Sequence, residues 1–501
     1  MWRRLLKVQS NTDKLRLSLK LAALSLAALT LFSAPSSSSA QGVGYWHTSG
    51  NQILDTNGNT VRIAGISWFG FETKEEVAHG LAYQDYRQIL HTISMNGFNT
   101  VRLPFSNQMI EKPIVPPLEN SPDAVNSGLA GLSSLQILDK IITAAGAEGL
   151  KVILDNHRSE AGNSNEPSGL WYTSDYPERN WIADWEFLIE RYQSFKDPGG
   201  NPIVIGVDLR NEPFTMVRGL PTGSCWTGDT TTGGCPASDT AHNWPQAAGR
   251  AATAILNINP NLLVFVEGVD CYSGSCNWQG GNLEGAGAFP VELPFSGHLV
   301  YSAHDYGPDV SPQPWFTNAT TNESLQALWV RHWAYLSIGN IAPVWLGEFG
   351  TTNTDRDVQS NTPGSQGQWF SALVNFLRAQ PRINWSYWAV NGEDRTGLLL
   401  RNYAAIPPNS LKLEQLETIQ FPLNNYVVSR PQTTAEDTHE AANRNQGPRA
   451  ASALRLTAAL SLTALALVLV QQRKPRRRSK TGEPSSPVPE VTPPKLPSTR
   501  S

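Results

Sequence analysis

Short apolar runs alternate with amphipathic stretches through most of this 501-residue chain. The apolar runs are rich in β-branched residues and end in polar ones, which is typical of parallel strands buried on both faces. Eight strands are predicted in this way, at 61–63 with 65–68, 99–104, 150–157, 204–212, 262–267, 299–304, 343–349 and 383–389.

The stretches between these runs carry apolar residues at helical spacing. In 85–95, for example, Tyr86 and Ile93 fall on one face, and the helix predicted at 134–147 follows the capping residue Ser133. Further helices are predicted at 181–192, 245–256, 325–336 and 369–377. Eight strands that alternate with helices predict an α/β fold, a (β/α)₈ TIM barrel.

The composition changes along the chain and divides it into five predicted segments. They are a signal peptide at 1–41, a single barrel domain at 42–430, a polar stalk at 431–449, a transmembrane segment at 450–472 and a basic, proline-rich disordered tail at 473–501.

The two membrane signals depend on charge placed next to apolar runs. Basic residues precede the apolar run 21–32, and the small residues 38–40 then resemble a signal-peptidase site. Near the other end, the apolar run 456–470 is followed by a basic cluster, as in a stop-transfer signal. We therefore expect an exported protein whose barrel lies outside the membrane. An interfacial helix at 450–472 is the alternative, because Arg455 must otherwise reach the outer interface.

Charge and cysteine content exclude several kinds of partner. The formal net charge of −4 provides no basic field for nucleic acid. The four cysteines lie in two local pairs, so we expect the disulfides Cys225–Cys235 and Cys271–Cys276, with free thiols as the alternative. Neither CxxC nor histidine-rich spacing indicates a metal, and no organic cofactor is implied.

Two of the apolar runs end in a glutamate. Glu212 closes the run 204–212, and Glu348 closes the run 343–348. In a β/α barrel the carboxyl ends of the strands form the catalytic face. Two carboxyl groups facing each other across a cleft are the minimum for glycoside hydrolysis, although either glutamate alone could make a structural ion pair.

Other polar or aromatic residues gather at the same predicted strand ends. They are Arg102, His157, Asn211, His304, Tyr306 and Trp388. Each alone has an ordinary structural explanation, but their repeated occurrence on one face indicates an active site. The 16 tryptophans also offer flat faces on which sugar rings can stack, besides their role in the core.

Several stretches, in this order, resemble the family five glycoside hydrolases of clan A, in particular bacterial endo-β-1,4-glucanases. They are GYWHTSG at 44–50, RIAGI at 62–66, WFGFET at 68–73, NTVRLP at 99–104, YSAHDY at 301–306 and IAPVWLGEFGTT at 341–352. The resemblance covers about 44–400 and implies a TIM-barrel cellulase that acts on β-glucan.

The resemblance also implies a role for each matching residue. Glu348 would be the nucleophile and Glu212 the acid/base of a retaining mechanism. The six others would contact the sugar or the glutamates: Arg102 and Tyr306 at Glu348, Asn211 at the sugar 2-hydroxyl, His304 near Glu212, His157 in the −1 subsite and Trp388 as its floor.

Some features leave alternatives open. Arg210 lies two positions before Glu212 on the predicted strand, so the two would share one side and Arg210 could favour the ionised form of Glu212. A β-mannanase or mixed-linkage glucanase with the same mechanism is the nearest alternative. A non-catalytic carbohydrate-binding surface protein is a further one. We expect a monomer.

Overall fold

The computed structural model describes residues 42–117, 125–228 and 233–421. Eight parallel strands close into a barrel in chain order, with the last pairing to the first, so the predicted (β/α)₈ barrel is confirmed. The strands are β1 Ala64–Ser67, β2 Thr100–Ser106, β3 Lys151–Arg158, β4 Val204–Asp208, β5 Leu263–Glu267, β6 Leu299–His304, β7 Val344–Glu348 and β8 Asn384–Tyr387.

Helices connect and cover these strands. They are α1 Tyr86–Met95, α2 Asn107–Glu111, α3 Ser134–Ala147, α4 Glu178–Tyr192, α5 Trp244–Ile258, α6 Asn322–Trp329, α7 Tyr335–Ile338, α8 Asp355–Val358, α9 Gln366–Ala379 and α10 Leu411–Glu417. A 3₁₀ turn, Ser127–Leu129, and a π-helical segment, Val330–Ala334, complete the set. The prediction for α3 matches its bounds, because a capping box at Ser133 fixes where the helix begins.

The end of the barrel where the strands begin is filled with apolar side chains. They are Ile153, Ile205, Leu263, Phe265, Val300 and Trp345 from the strands, with Trp46, Ile53, Val61 and Ile63 below them. A small antiparallel sheet, His47–Ser49, Gln52–Leu54 and Thr60–Val61, supplies part of this layer, and residues 55–59 form the hairpin turn between its last two strands. The closed end is therefore a packed core.

The predicted fourth strand is too long. The observed strand β4 ends at Asp208, whereas the sequence pattern extended the strand to Glu212. Arg210 therefore does not share a strand face with Glu212. It is fully buried, and its guanidinium pairs with Glu166 at 3.2 Å and donates to Asn156 Oδ1 at 2.6 Å. The expectation that Arg210 and Glu212 share one side of a strand was therefore wrong, because the chain leaves the ladder before Arg210.

Both expected disulfides are confirmed. Cys225 and Cys235 are joined by an S–S bond of 2.06 Å, and Cys271 and Cys276 by one of 2.07 Å. They fasten the loops that follow β4 and β5, both of which reach the catalytic face of the barrel.

Four predicted segments lie wholly outside the described residues: the signal peptide, the polar stalk, the transmembrane segment and the disordered tail. Within 42–117, 125–228 and 233–421, no helix combines the length and the apolar character needed to cross a bilayer.

Candidate active site

The carboxyl ends of the barrel strands bring the predicted site residues to one place. Arg102 lies on β2 and His157 on β3, and Asn211 and Glu212 follow β4. On the other side, His304 and Glu348 end β6 and β7, with Tyr306 and Trp388 in the turns after β6 and β8. Contacts link these side chains, and the roles that the sequence suggested for them stay predictions.

Glu348 is held by three hydrogen-bond or charge partners. Arg102 Nη1 donates to its Oε1 at 2.5 Å, Tyr306 OH donates to its Oε2 at 2.8 Å, and His304 Nδ1 lies 3.7 Å from Oε2. Burial raises the pKa of Glu348, but the positive charges of His304 and Arg102 outweigh it and hold the pKa below its ordinary value. Glu348 is therefore an ionised carboxylate at neutral pH.

A local irregularity directs Glu348 into the barrel. The pairing of β6 with β7 shifts so that Ala303 faces Leu346 but His304 faces Glu348, which skips Gly347. A Cβ on Gly347 would lie 3.0 Å from His304 Nε2. Bulges of this kind re-aim a side chain, and a residue without a side chain is needed here for the close approach of His304.

Glu212 lies opposite, in a different environment. His304 Nδ1 is 3.1 Å from its Oε1, and Asn165 Nδ2 donates to its Oε2 at 3.3 Å. Its backbone has a φ of 47°, a left-handed conformation that non-glycine residues seldom adopt. One oxygen of Glu212 lies within 4.8 Å of one oxygen of Glu348.

Arg102 is the centre of a buried charge network. Besides Glu348, it contacts Asp155 at 3.1 Å, Asp208 at 3.0 Å and Glu267 at 3.5 Å. Burial raises the pKa of Asp208 and that of Glu267, and the positive charges of Arg102 and His304 oppose both shifts. The guanidinium thus offsets several carboxylates that water cannot reach.

Aromatic rings form one wall of the cleft. Trp388 stacks on His157, with ring centroids 5.5 Å apart, and on Phe69 at 5.3 Å and an interplanar angle of 7°. His157 Nδ1 lies 2.7 Å from Asp155 Oδ2. Burial lowers the pKa of His157, but the Asp155 carboxylate raises it to a net value above the ordinary one. The wall combines flat apolar faces with an oriented imidazole.

The family model described as cellulase (glycosyl hydrolase family 5) matches residues 54–394 of this chain. The chain belongs to this family. It is a glycoside hydrolase, and the expected resemblance to family 5 endoglucanases is confirmed.

Relatives of this family 5 hydrolase carry matching descriptions. An endoglucanase of Paenibacillus polymyxa is 39% identical over 402 residues, which is 78% of this chain and 91% of the relative. The major extracellular endoglucanase of Xanthomonas campestris is 33% identical over 368 residues, covering 72% and 69%. The solved hyperthermophilic endocellulase of Pyrococcus horikoshii superimposes with a TM-score of 0.65 at 31% identity, covering 76% of this chain and all of that one.

Two clusters in this family 5 site have the composition of a metal centre. Asp208, Glu267 and His304 place ligand atoms within 4.8 Å of one another, and so do Glu212, His304 and Glu348. The guanidinium of Arg102 lies 3.0 Å from Asp208 and 3.5 Å from Glu267. Its positive charge already compensates the carboxylates and would repel a divalent cation, so the arrangement suits a hydrogen-bonded charge network better than a metal.

A groove of about 650 Å³ lies beside the aromatic wall. His79 lines it and makes an edge contact with Phe69, which stacks on Trp388. Tyr83 and Tyr403 also line the groove with parallel rings 6.5 Å apart, and Tyr83 is 65% exposed. The groove is therefore linked to Trp388 through His79 and Phe69, and it presents a solvent-facing aromatic ring.

Sequence reasoning missed three residues of the charge network. Asp208 and Glu267 end β4 and β5, and Asp155 lies three positions before the end of β3, yet none was given a role. An acid near the end of a buried apolar run was the available signal. Which of these acids faces Arg102 depends on the closure of the barrel.

Proposed function

We propose that this protein is a retaining endo-β-1,4-glucanase. The observation that carries the proposal is the short separation of the two glutamates, whose nearest ligand oxygens lie within 4.8 Å. Retaining glycosidases place their carboxyl groups about 5–5.5 Å apart, whereas inverting enzymes need roughly 6.5–9.5 Å to admit a water molecule. The narrow gap favours direct attack by one carboxylate on the sugar.

The surroundings of the two glutamates support the role that this proposal gives to each. Glu348, kept ionised by Arg102, His304 and Tyr306, attacks the anomeric carbon. Glu212 donates its proton to the leaving oxygen, which breaks the glycosidic bond and leaves a glycosyl ester on Glu348. The carboxylate of Glu212 then takes a proton from water, the water oxygen attacks the anomeric carbon, and Glu348 departs as a carboxylate.

Neighbouring residues position the sugar in the same scheme. Asn211 Oδ1 accepts from Arg102 Nη2 at 2.9 Å, and the amide nitrogen of the same side chain donates to the sugar 2-hydroxyl in this scheme. Trp388 forms the floor of the −1 subsite, and His157 binds the sugar beside it. Hydrogen bonds to the 2-hydroxyl strengthen in the transition state of glycoside hydrolysis.

The substrate class is supported by the relatives and by the groove. A substituted form of the Pyrococcus horikoshii endocellulase has been crystallised in complex with cellotetraose, and relatives at 39% and 33% identity are described as endoglucanases. The groove, which is linked to Trp388 through His79 and Phe69, adds an aromatic surface beyond the residues around the glutamates, as a polymeric chain requires. We expect a β-glucan chain to occupy the cleft together with the groove.

A reducing-sugar assay on three polymers tests the substrate. The barrel domain, residues 42–430, should release sugar faster from carboxymethyl cellulose than from barley mixed-linkage glucan or β-mannan. Faster hydrolysis of mannan would favour a mannanase, and faster hydrolysis of barley glucan would favour a mixed-linkage glucanase. No release from any polymer would instead support a carbohydrate-binding protein.

The stereochemistry of the first product tests the mechanism independently. Proton NMR during early hydrolysis of a cello-oligosaccharide should show the β-anomer before mutarotation produces the α-anomer. An initial α-anomer would contradict double displacement whatever the polymer preference is.

We also propose that the protein is exported and anchored by residues 450–472, with the barrel outside the membrane. The apolar run followed by basic residues supports this topology, as do the disulfides, which persist in oxidising compartments. Truncation after Gln446 should release active enzyme from membranes. Full-length protein in the soluble fraction, or a protease-accessible tail in sealed cells, would contradict the proposal.

A further inference from the structure

We propose that Glu267 is the positioning residue that sets both the location and the proton-donating ability of Glu212. The inference rests on the proposed function, in which Glu212 is the acid/base. Glu267 is fully buried at the end of β5. One of its carboxylate oxygens acts on the backbone of Glu212, and the other acts on the side chain of Glu212.

One oxygen holds the backbone of Glu212. The N–H of Glu212 donates to Glu267 Oε2 at 2.8 Å. Because Glu212 has a φ of 47°, its backbone needs a partner that fixes this unfavourable conformation. Gly280 passes close by, and a Cβ there would lie 2.2 Å from Glu267 Oε2 and 3.2 Å from Glu212 Cα. The loop after β5 thus closes over this hydrogen bond.

The other oxygen acts on the side chain of Glu212 through His304. Glu267 Oε1 lies 3.2 Å from His304 Nε2, and His304 Nδ1 lies 3.1 Å from Glu212 Oε1. His304 is fully buried, so its ring lies between the two carboxyl groups without access to water. The contact to Glu267 is a charge pair, and it favours an imidazole that carries a proton on each nitrogen.

We call the series Glu267, His304 and Glu212 the relay. The other charged groups around it are all buried or nearly so. The groups that face Glu267 and His304 from neighbouring elements are Arg102 on β2, Asp208 on β4, Glu212 after β4 and Glu348 on β7, while Asp155 on β3 pairs with Arg102. Burial lowers the pKa of His304, but the carboxylates of Glu267 and Glu348 raise it well above the ordinary value. A cationic His304 next to Glu212 favours release of the Glu212 proton to the leaving group.

Glu267→Gln tests the relay while keeping the shape of the side chain. The glutamine oxygen can still accept from the Glu212 N–H, which leaves its NH₂ group facing His304 Nε2. That nitrogen must then be unprotonated, so His304 becomes neutral and the positive charge nearest Glu212 is lost. We expect the alkaline limb of the kcat profile to move upward by roughly one pH unit, the scale of a charge within hydrogen-bonding distance.

Leaving-group dependence separates positioning from a merely structural role. With dinitrophenyl β-cellobioside, the first step needs no proton, whereas cellotetraose needs one. Glu267→Gln should therefore lower kcat more for cellotetraose than for release of dinitrophenolate in the first turnover, with KM little changed. Equal losses on both substrates, or a loss only in KM with an unmoved pH profile, would overturn the proposal.

Glu284→Gln is the matched control. Glu284 Oε1 lies 3.2 Å from Nε2 of buried His332, so the same exchange is made in a glutamate–histidine pair away from the two catalytic glutamates. It should leave the pH profile and the leaving-group dependence as they are. A shift equal to that of Glu267→Gln would count against a specific role for Glu267.

A measurement on the intact enzyme covers the case in which Glu267→Gln does not fold. In ¹⁵N NMR of histidine-labelled enzyme, the His304 ring should carry protons on both nitrogens at neutral pH. A neutral ring with an unprotonated Nε2 towards Glu267 would overturn the relay. Absence of hydrolysis by the unaltered enzyme would instead contradict the proposed function, since the NMR result does not depend on activity.

Discussion

The two ends of the barrel interior are built by the same strands but hold opposite kinds of side chain. On β3, Ile153 lies in the closed end and Asp155 in the charge network; on β5, Phe265 and Glu267 divide in the same way. Side chains two positions apart on a strand point to the same face, so each pair faces inward. All four are fully buried, and only their position along the strand distinguishes them.

The difference separates stability from chemistry. At the closed end, each large apolar side chain contributes about 1.5–3 kcal/mol by leaving water. At the open end, burial removes the hydration of the carboxylates. Pairing with Arg102 and His304 offsets the free energy that this loss of hydration costs. The closed end should therefore tolerate no loss of volume, and the open end no loss of charge balance.

Removing either catalytic glutamate should produce the largest effect on activity. Glu212→Ala and Glu348→Ala should each lower kcat on cellotetraose by at least ~10²–10⁴-fold, the range for general acid–base catalysis. With dinitrophenyl β-cellobioside, Glu212→Ala should accumulate a glycosyl-enzyme, and azide should speed turnover to a β-glycosyl azide. Glu348→Ala should have no covalent step, and azide should give the α-azide.

Mass spectrometry and product NMR distinguish these outcomes. Glu190→Ala, which removes an exposed glutamate of α4, is the control and should behave like the unaltered enzyme. Azides of the opposite configuration in the two variants would reverse the assignment of the glutamates.

Arg102→Ala should unbalance the open end. It leaves the carboxylates of Asp155, Asp208, Glu267 and Glu348 without their shared cation. Breaking a buried pair in this way costs about 3–5 kcal/mol of unfolding free energy. Turnover should fall more than substrate binding weakens, because Glu348 loses the charge that keeps it ionised.

The loss of stability in Arg102→Ala should also depend on pH, in a direction that the pKa of Glu348 predicts. In the unaltered protein, the depressed pKa of Glu348 contributes stability above its unfolded pKa, and this contribution is lost as pH falls through the folded value. Without Arg102 the buried carboxylates favour the protonated, neutral form, which needs no cation beside it. The difference in melting temperature between Arg102→Ala and the unaltered enzyme should therefore shrink as pH falls. Arg191→Ala, which removes a partly exposed ion pair with Asp139, should show a much smaller deficit in melting temperature. A variant that loses affinity but keeps its turnover would refute the role of Arg102.

Phe265→Ala should disturb the closed end alone. Phe265 packs against Trp345 with ring centroids 4.7 Å apart and is fully buried. The cavity should cost about 3–5 kcal/mol of unfolding free energy in chemical denaturation, while the pH profile of the folded enzyme stays the same. Phe187→Ala, at a 40% exposed site on α4, is the control and should cost far less. A shifted pH profile in Phe265→Ala would show that the two ends are coupled.

The sequence predicted the barrel well because local pattern and fold agree there. The predicted strand 299–304 coincides with β6, and the predicted helix 134–147 coincides with α3, where a capping box and a continuous apolar face give the same answer. The two disulfides could also be predicted, since each cysteine has its partner within a short stretch of chain. These features depend on neighbouring residues only.

The details that sequence reasoning missed depend on contacts between distant strands. The run that ends in Glu212 looks like one strand, yet β4 stops at Asp208 and Arg210 turns towards Glu166. Strict alternation would place Glu348 on the same face as Leu346, and only the shift at Gly347 turns it inward. The relay through Glu267 likewise exists only once β4, β5 and β6 are adjacent.

The smallest expected effect concerns the groove, which lies outside both ends of the barrel interior. Tyr83 is 65% exposed and stacks on buried Tyr403, so its truncation should cost little stability. We expect Tyr83→Ala to lower kcat/KM on cellohexaose about threefold to tenfold, the equivalent of roughly 0.5–1.5 kcal/mol for an aromatic contact. Dinitrophenyl β-cellobioside is too short to reach beyond the residues around the glutamates, so its kcat/KM should stay the same. Tyr83→Phe, which keeps the ring, should retain most of the activity on cellohexaose. Equal losses of Tyr83→Ala on both substrates would show that the groove supports the fold of the cleft and does not bind the chain.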